Sequence, residues 1–240
     1  MDILEEFNAE GQKTMLADIV RQNAAALPLI MRFGFRPGFG KLRVGVACAQ
    51  SGIDTGLFLR VVRAAVDPSF DTEYDVNDSL PPVTDRGQLV EFLQRSNEWY
   101  LETQLPNIGR HFDLLIKRSP GETSKGLAAL HGFYDQLASE LRERDRFDRE
   151  VLFPVLRAES PAEETGAENL RSLLAESEEL DSGLEDEAED LLTFLLVHLQ
   201  GDIDPNLLTA VVWAVDNLRK DLMRNSSIRR SCSRILKTTE

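Results

Sequence analysis

The chain has 240 residues, of which 42% are hydrophobic, and its formal net charge is −14 at pH 7. This composition is typical of a globular protein with one large domain or two smaller ones. It excludes a membrane span, which needs about 18 consecutive apolar residues, and argues against general nucleic-acid binding, which needs a basic surface. The only two cysteines, Cys48 and Cys232, form no CxxC pair, so we expect a reduced, cytoplasmic protein.

The first part of the chain, residues 1–66, predicts a small accessory domain of three helices. Apolar residues recur at helical spacing over 14–33, and the glycine-rich segment "GFRPGFGK" then predicts a loop. Gly52 is expected to end a second short helix, and Asp54 is expected to cap a third. Residues 67–86 contain two consecutive prolines and little periodicity, which indicates a linker.

Residues 87–240 predict four long helices and no strand longer than a few residues. The helical patterns cover about 86–118, 123–157, 167–200 and 204–236. Short loops between long helices favour an up-down-up-down four-helix bundle. Pro106 is predicted to kink the first helix, because proline removes a backbone donor. The predicted fold class is therefore all-α.

Charge is distributed unevenly over the last two predicted helices. Residues 159–190 hold thirteen Asp or Glu against one basic residue, whereas residues 219–237 hold seven Lys or Arg against one Asp. We interpret both segments as solvated helix faces that balance one another, and phosphate binding by the basic segment is the alternative.

Two segments, "SNEWYLETQLPNIGRHF" and "ELRERDRFDREVLFPVLR", carry a resemblance to a known family. They resemble the hemerythrin-like (HHE cation-binding) domain of the iron–sulfur-cluster repair di-iron proteins. The Leu-Pro of the first segment and the Phe-Pro of the second match that family's landmarks. The N-terminal part is similar to the family's accessory domain at Phe33-Gly34, Gly40, Cys48 and Gly52.

The resemblance also implies that the family's metal ligands have been replaced. Other residues stand at the positions expected for its histidines and glutamates, namely Asn97, Arg144, Asp148, Glu179, Asn225 and Arg229. An arginine side chain cannot deprotonate and cannot ligate a metal. We therefore expect that the di-iron site is lost and that the protein has no cofactor, with iron as the alternative.

Two structures are open for the former metal site. In the first, Arg–carboxylate bridges and the asparagine amides fill the core as a neutral, metal-free network. In the second, Arg144 and Asp148 form an ordinary i,i+4 ion pair on the helix surface.

The remaining candidate residues are isolated. His111, His131 and His198 have no second histidine within a turn, so surface or capping roles are expected. A displaced metal site made by His111 or His131 with Asp148 and Glu179 is the alternative. Cys232 lies among three arginines in the sequence, which would lower its pKa and make it a candidate reactive thiol.

Three functions follow from these observations. The sequence favours a non-enzymatic binding or regulatory module, a metal-free descendant of the hemerythrin-like fold with a protein or small-ligand partner. The first alternative is an iron-binding protein related to iron–sulfur-cluster repair. The second is a sensor that binds a small anion between Arg144 and Arg229. No membrane partner is expected, and the sequence does not indicate the oligomeric state.

Overall fold

The computed structural model describes residues 11–66, 83–157 and 164–235, with side chains over 11–65, 83–157 and 168–229. These residues form helices and connecting turns, with no strand among them beyond an isolated bridge between Met15 and Arg43. The predicted all-α class is confirmed. None of the described helices combines the length and the apolarity that crossing a membrane requires.

Residues 11–66 contain four short α-helices where three were predicted. They are α1 (Leu16–Gln22), α2 (Ala26–Arg32), α3 (Val44–Ser51) and α4 (Thr55–Val66). The prediction of three helices was wrong because the first helical pattern is interrupted between α1 and α2. The predicted helix ends at Gly52 and Asp54 agree with the structure. Gly52 follows α3 in a left-handed conformation, and Asp54 precedes α4.

Asn23 produces the interruption between α1 and α2. Its backbone is extended, its side-chain oxygen accepts a hydrogen bond from the Ala25 amide at 3.0 Å, and its side-chain nitrogen donates to the Ala65 carbonyl at 2.6 Å. Asparagine readily replaces backbone hydrogen bonds in this way. Apolar periodicity alone continues across residue 23 and does not reveal the break.

The described residues from 86 onward form long helical stretches that agree with the four predicted patterns. The first consists of α5 (Arg86–Trp99), a π-helical turn (Tyr100–Gln104) and α6 (Leu105–Arg118). The second consists of α7 (Gly121–Phe147), a π turn (Asp148–Leu152) and α8 (Phe153–Arg157). The third is α9 (Glu164–Thr193) with a π turn (Phe194–His198), and the fourth is α10 (Pro205–Ile235).

Two of the π turns end two residues before a proline. The turn at Tyr100–Gln104 precedes Leu105-Pro106, and the turn at Asp148–Leu152 precedes Phe153-Pro154. Proline lacks an N–H group, and its ring clashes with the carbonyl four residues earlier in an α-helix. A wider π turn relieves this clash locally, and such turns often occur at functional sites.

The described residues divide into two compact units. One, the split unit, comprises Met1–Arg95 together with Arg224–Glu240, and the other, the continuous unit, comprises Ser96–Met223. Residues 67–82 of the predicted linker lie outside the described residues. The proposed domain limits at 1–66, 67–86 and 87–240 stay predictions.

Each unit has its own apolar core. In the split unit, Phe33 stacks on Phe92 with ring centroids 4.8 Å apart, and it also contacts Phe58. In the continuous unit, all the long helical stretches contribute buried residues to one core, including Phe112, Leu137, Leu191 and Val215. Burial of these faces is the main source of stability for such helices.

Candidate functional site

A buried carboxylate lies at the first residue of the second π turn. Asp148 is 0% exposed. One of its carboxylate oxygens accepts a hydrogen bond from the Asn97 side-chain nitrogen at 2.8 Å, and the other accepts one from Nη1 of Arg144. A buried charge is stable only when it is paired and hydrogen-bonded, and Asp148 meets both conditions.

The Arg144 side chain connects this carboxylate to the third helical stretch. Its Nε donates to Asp181 Oδ1 at 2.8 Å, and its Nη2 donates to Ser177 Oγ at 2.7 Å. The Arg144 side chain is 4% exposed. We call Asn97, Arg144, Asp148, Ser177 and Asp181 the buried arginine network. All five residues belong to the continuous unit.

Helical spacing explains why these residues meet. Arg144 and Asp148 are four residues apart and therefore share one helix face, as do Ser177 and Asp181 on α9. The planar guanidinium group presents its N–H donors in a fixed fork, which suits two carboxylates and a hydroxyl arranged around it. Arg144 thus joins the second and third helical stretches, and the Asn97–Asp148 hydrogen bond adds the first.

The chemistry of the network is that of a cation already surrounded by oxygen acceptors. The guanidinium group stays charged at all physiological pH values, and two carboxylates face it. Removing one partner from a buried ion pair costs about 3–5 kcal/mol, because an uncompensated charge remains. The network therefore contributes strongly to the stability of the native structure.

A second polar layer lies beside the network in the same unit. Tyr100 Oη donates to the Asp221 backbone carbonyl at 3.3 Å, and Gln104 Nε2 donates to the Asp221 carboxylate at 3.2 Å. Tyr100 and Asp221 are both buried. These contacts join the first π turn to α10.

The structure separates Glu179 from the other predicted site residues. Glu179 is exposed, whereas Ser177 and Asp181 on either side of it face Arg144. The assignment of Glu179 to the core was wrong by two positions, and two residues on a helix turn a side chain to the opposite face. The i,i+4 spacing of Ser177 and Asp181 is the sequence signal that would have found them.

The remaining predicted site residues, Asn225 and Arg229, are both buried and belong to the split unit. The backbone of Cys232 is part of α10, but its side chain lies outside the described residues, so its reactivity stays a prediction. Cys48 is a free, buried cysteine. Burial raises the pKa of its thiol to about 11, so it is unreactive at neutral pH.

The histidines do not join Asp148 in one site. His131 and Asp148 are seventeen residues apart on one continuous helical stretch, which places them about 25 Å apart along its axis. Nδ1 of His131 lies 3.1 Å from Asp135, and Nδ1 of His111 donates to the Asn107 carbonyl at 2.7 Å. The alternative metal set of His111, His131, Asp148 and Glu179 was therefore wrong as a single site.

Comparisons with known proteins add no relative. No family model, no curated protein and no solved structure matches the chain. The described side chains also include no group of three or more His, Cys, Asp or Glu arranged to hold a metal ion. The resemblance to hemerythrin-like domains consequently rests on the sequence landmarks alone.

Proposed function

We propose that this protein is a non-enzymatic binding or regulatory module built on a hemerythrin-like four-helix bundle, in which an arginine side chain stands where a metal ion would otherwise be held. The observation that carries the proposal is the Arg144 guanidinium group, which donates to Asp148, Asp181 and Ser177 in the interior of the continuous unit.

The contacts within the continuous unit support an antiparallel arrangement of its helices. Arg144 contacts Asp181, Gln136 contacts Glu187, and Phe133 contacts Phe194. Residue numbers fall along α7 as they rise along α9, as they do in neighbouring helices of an up-down bundle. Tyr134 Oη, which donates to the Leu105 carbonyl at 2.5 Å, links α7 to α6 in the same way.

The charge of the network supports independence from metal. A divalent ion in a bundle core is held by carboxylates and imidazoles from several helices. Here two carboxylates converge from α9 and the second π turn, but a permanent cation already lies between them. A metal ion would have to displace Arg144 and would be repelled by it at the distances involved.

The same geometry disfavours the proposed anion sensor. The Nε, Nη1 and Nη2 atoms of Arg144 each donate to an oxygen acceptor, and two of these acceptors are carboxylates. An incoming anion would meet two negative charges at this position. The iron-binding alternative is tested directly by measuring the metal content of the protein.

Elemental analysis of protein expressed with added iron, manganese and zinc tests the proposal. We expect less than about 0.1 metal ion per chain and a melting temperature that EDTA does not change, since metal binding to a folded site stabilises it. One or two metal ions per chain would contradict the proposal and would support the iron-binding alternative.

An Arg144→Ala variant sharpens this test, with Arg146→Ala as the matched control on the exposed face of the same helix. If the guanidinium group stands in for a metal ion, its removal leaves Asp148 and Asp181 without a cation, and added Mn²⁺ should then raise the melting temperature of this variant alone. If Mn²⁺ changed the melting temperature of both variants equally, this would contradict the proposal that Arg144 takes the place of a metal ion.

A further inference from the structure

An exposed aromatic strip lies on the surface between α7 and the third helical stretch. Phe133 is 51% exposed, and its ring stacks on Phe194 with centroids 5.3 Å apart. Phe194 itself is half-buried, and the exposed His198 ring lies 5.3 Å from it between centroids. Exposed aromatic side chains that cluster in this way mark a candidate contact surface for a partner.

An acidic pair lies on the same two helix faces, about 10 Å from the strip. Glu140 is seven residues after Phe133 on α7, and Glu187 is seven residues before Phe194 on the third stretch, which corresponds to two helical turns in each case. The Gln136 amide nitrogen donates to Glu140 Oε1 at 3.1 Å and to Glu187 Oε1 at 3.0 Å. One neutral amide thus holds two carboxylates together across the helices.

No basic side chain neutralises this pair in the part of the chain that the structure describes. Neither Glu140 nor Glu187 takes part in a salt bridge there, and Glu187 Oε2 is buried without a hydrogen-bond partner. Asp190, one turn further along α9, adds another carboxylate to this surface. Desolvation and the neighbouring Glu140 raise the pKa of Glu187 to about 7. Among the described residues, this surface therefore has no cation to stabilise it.

We infer that the surface formed by Phe133, Phe194, His198, Glu140 and Glu187 docks a basic amphipathic helix of a partner protein. Apolar side chains of that helix contact the aromatic strip, and a Lys or Arg about two turns away pairs with Glu140 and Glu187. This spacing matches helix-in-groove recognition, in which anchors lie at i, i+3, i+4 and i+7. The inference rests on the proposed function, since it names the partner class of the same binding module.

Charge complementarity favours a basic partner helix over a second copy of the chain or a metal ion. A second copy of the chain would bring a net charge of −14 against the same acidic surface, and like charges oppose association. A single metal ion is also disfavoured, because these carboxylates belong to no metal-holding group among the described side chains. A Lys or Arg side chain reaches both carboxylates and carries apolar neighbours with it.

Fluorescence anisotropy with a defined peptide tests the inference. The probe is a fluorescein-labelled amphipathic helix of about five turns, with leucine on one face and lysine on the flanks. We expect binding that weakens with added salt. Phe133→Ser and the double variant Glu140→Gln, Glu187→Gln should each weaken it about tenfold or more.

A matched control on α9 keeps this test specific. Glu178 is an exposed carboxylate nine residues before Glu187, which places it on the opposite face of the helix. Glu178→Gln should change the peptide affinity by no more than about twofold. Circular dichroism and the melting temperature of every variant verify that each has folded.

Three results would overturn the inference: no peptide binding, equal binding by all variants, or a concentration-dependent dimer in sedimentation that Phe133→Ser abolishes. The dimer would assign the surface to a second copy of the chain. The peptide assay tests this inference, whereas the metal content of the same preparation tests the proposed function. The two can therefore fail independently.

Discussion

Two carboxylate clusters of the continuous unit differ in how their charge is balanced. In the buried arginine network, Asp148 and Asp181 share a guanidinium group, and the cluster is almost fully removed from solvent. At the surface pair, Glu140 and Glu187 share one neutral amide and have no cation among the described residues. The first arrangement is complete within the chain and serves structure. The second is incomplete, which is the property expected of a binding surface.

Removal of Arg144, the cation of the buried arginine network, should have the largest effect on stability. Arg144→Ala should destabilise the protein by about 3–5 kcal/mol, because it leaves buried carboxylates without a partner. Urea unfolding measures the change, and Arg146→Ala on the exposed face should cost less than about 0.5 kcal/mol. A cost below about 1 kcal/mol for Arg144→Ala would mean that the network relaxes or takes up water.

A double-mutant cycle separates the buried pair from a surface pair of the same spacing. Arg144 and Asp148 are four residues apart and buried, whereas Asp145 and Arg149 are four residues apart, with the Arg149 side chain 49% exposed and the contact at 2.9 Å. We expect a coupling energy of about 2–3 kcal/mol for the buried pair and about 0.3–0.5 kcal/mol for the surface pair. Equal coupling energies would remove the distinction between them.

Asp54 in the split unit offers a third kind of carboxylate, one that is stabilised by neutral donors alone. It accepts hydrogen bonds from the Leu57 amide at 2.9 Å, from the amide and hydroxyl of Thr84 at 2.6 and 2.8 Å, and from the Asp85 amide at 3.0 Å. Partial burial opposes its ionisation, but these hydrogen bonds outweigh burial and lower its pKa. It caps α4 and ties residues 84 and 85 to that helix.

Asp54→Ala should therefore cost about 1–2 kcal/mol of unfolding free energy, which is typical of a lost helix cap. Because the folded-state pKa is lowered, this stabilisation is present above the usual Asp value of 3.8 and disappears as the pH falls through the folded-state pKa. Urea unfolding at pH 7 and at pH 3 measures both effects. Asp18→Ala, at an exposed Asp–Arg pair on α1, should cost less than about 0.5 kcal/mol at pH 7.

The sequence predicts the helical architecture well because that architecture follows from local patterns. Apolar periodicity locates the four long stretches to within a few residues, and Gly52 and Asp54 mark two helix ends correctly. The break at Asn23 was missed because it depends on a hydrogen bond to Ala65, 42 residues away. Periodicity carries no information on such distant partners.

The candidate site was predictable only in part, for a related reason. The Phe-Pro landmark at Pro154 and the i,i+4 spacing predict that Arg144 and Asp148 interact. The spacing alone does not show whether this pair is buried or lies on the surface. The register of α9 decides which side chains reach Arg144, and a shift of two residues replaces Glu179 by Ser177 and Asp181. The Glu140–Glu187 pair was not predicted at all, because it forms only when α7 and α9 pack together.

The smallest expected effect concerns the pH dependence of this surface pair. Desolvation and Glu140 raise the pKa of Glu187 to about 7, from an ordinary value of 4.5, so the folded state holds a proton that the unfolded state releases. Its contribution to stability is complete below pH 4.5 and is lost as the pH rises to about 7. Because Glu187 is partly exposed, screening limits this contribution to about 1 kcal/mol.

Glu187→Gln should abolish this slope, since the amide stays neutral at every pH. The variant should be more stable than the original protein by up to about 1 kcal/mol at pH 8, and the two should be nearly equal at pH 5. Glu178→Gln, on the exposed face of the same helix, should leave the slope unchanged. A basic peptide bound at the surface should favour the ionised carboxylates and so lower the pKa of Glu187. The affinity of the peptide should therefore rise between pH 6 and pH 8, and it should do so only while Glu187 is present. Peptide affinity that is independent of pH in this range would show that protonation of Glu187 does not control binding at this surface.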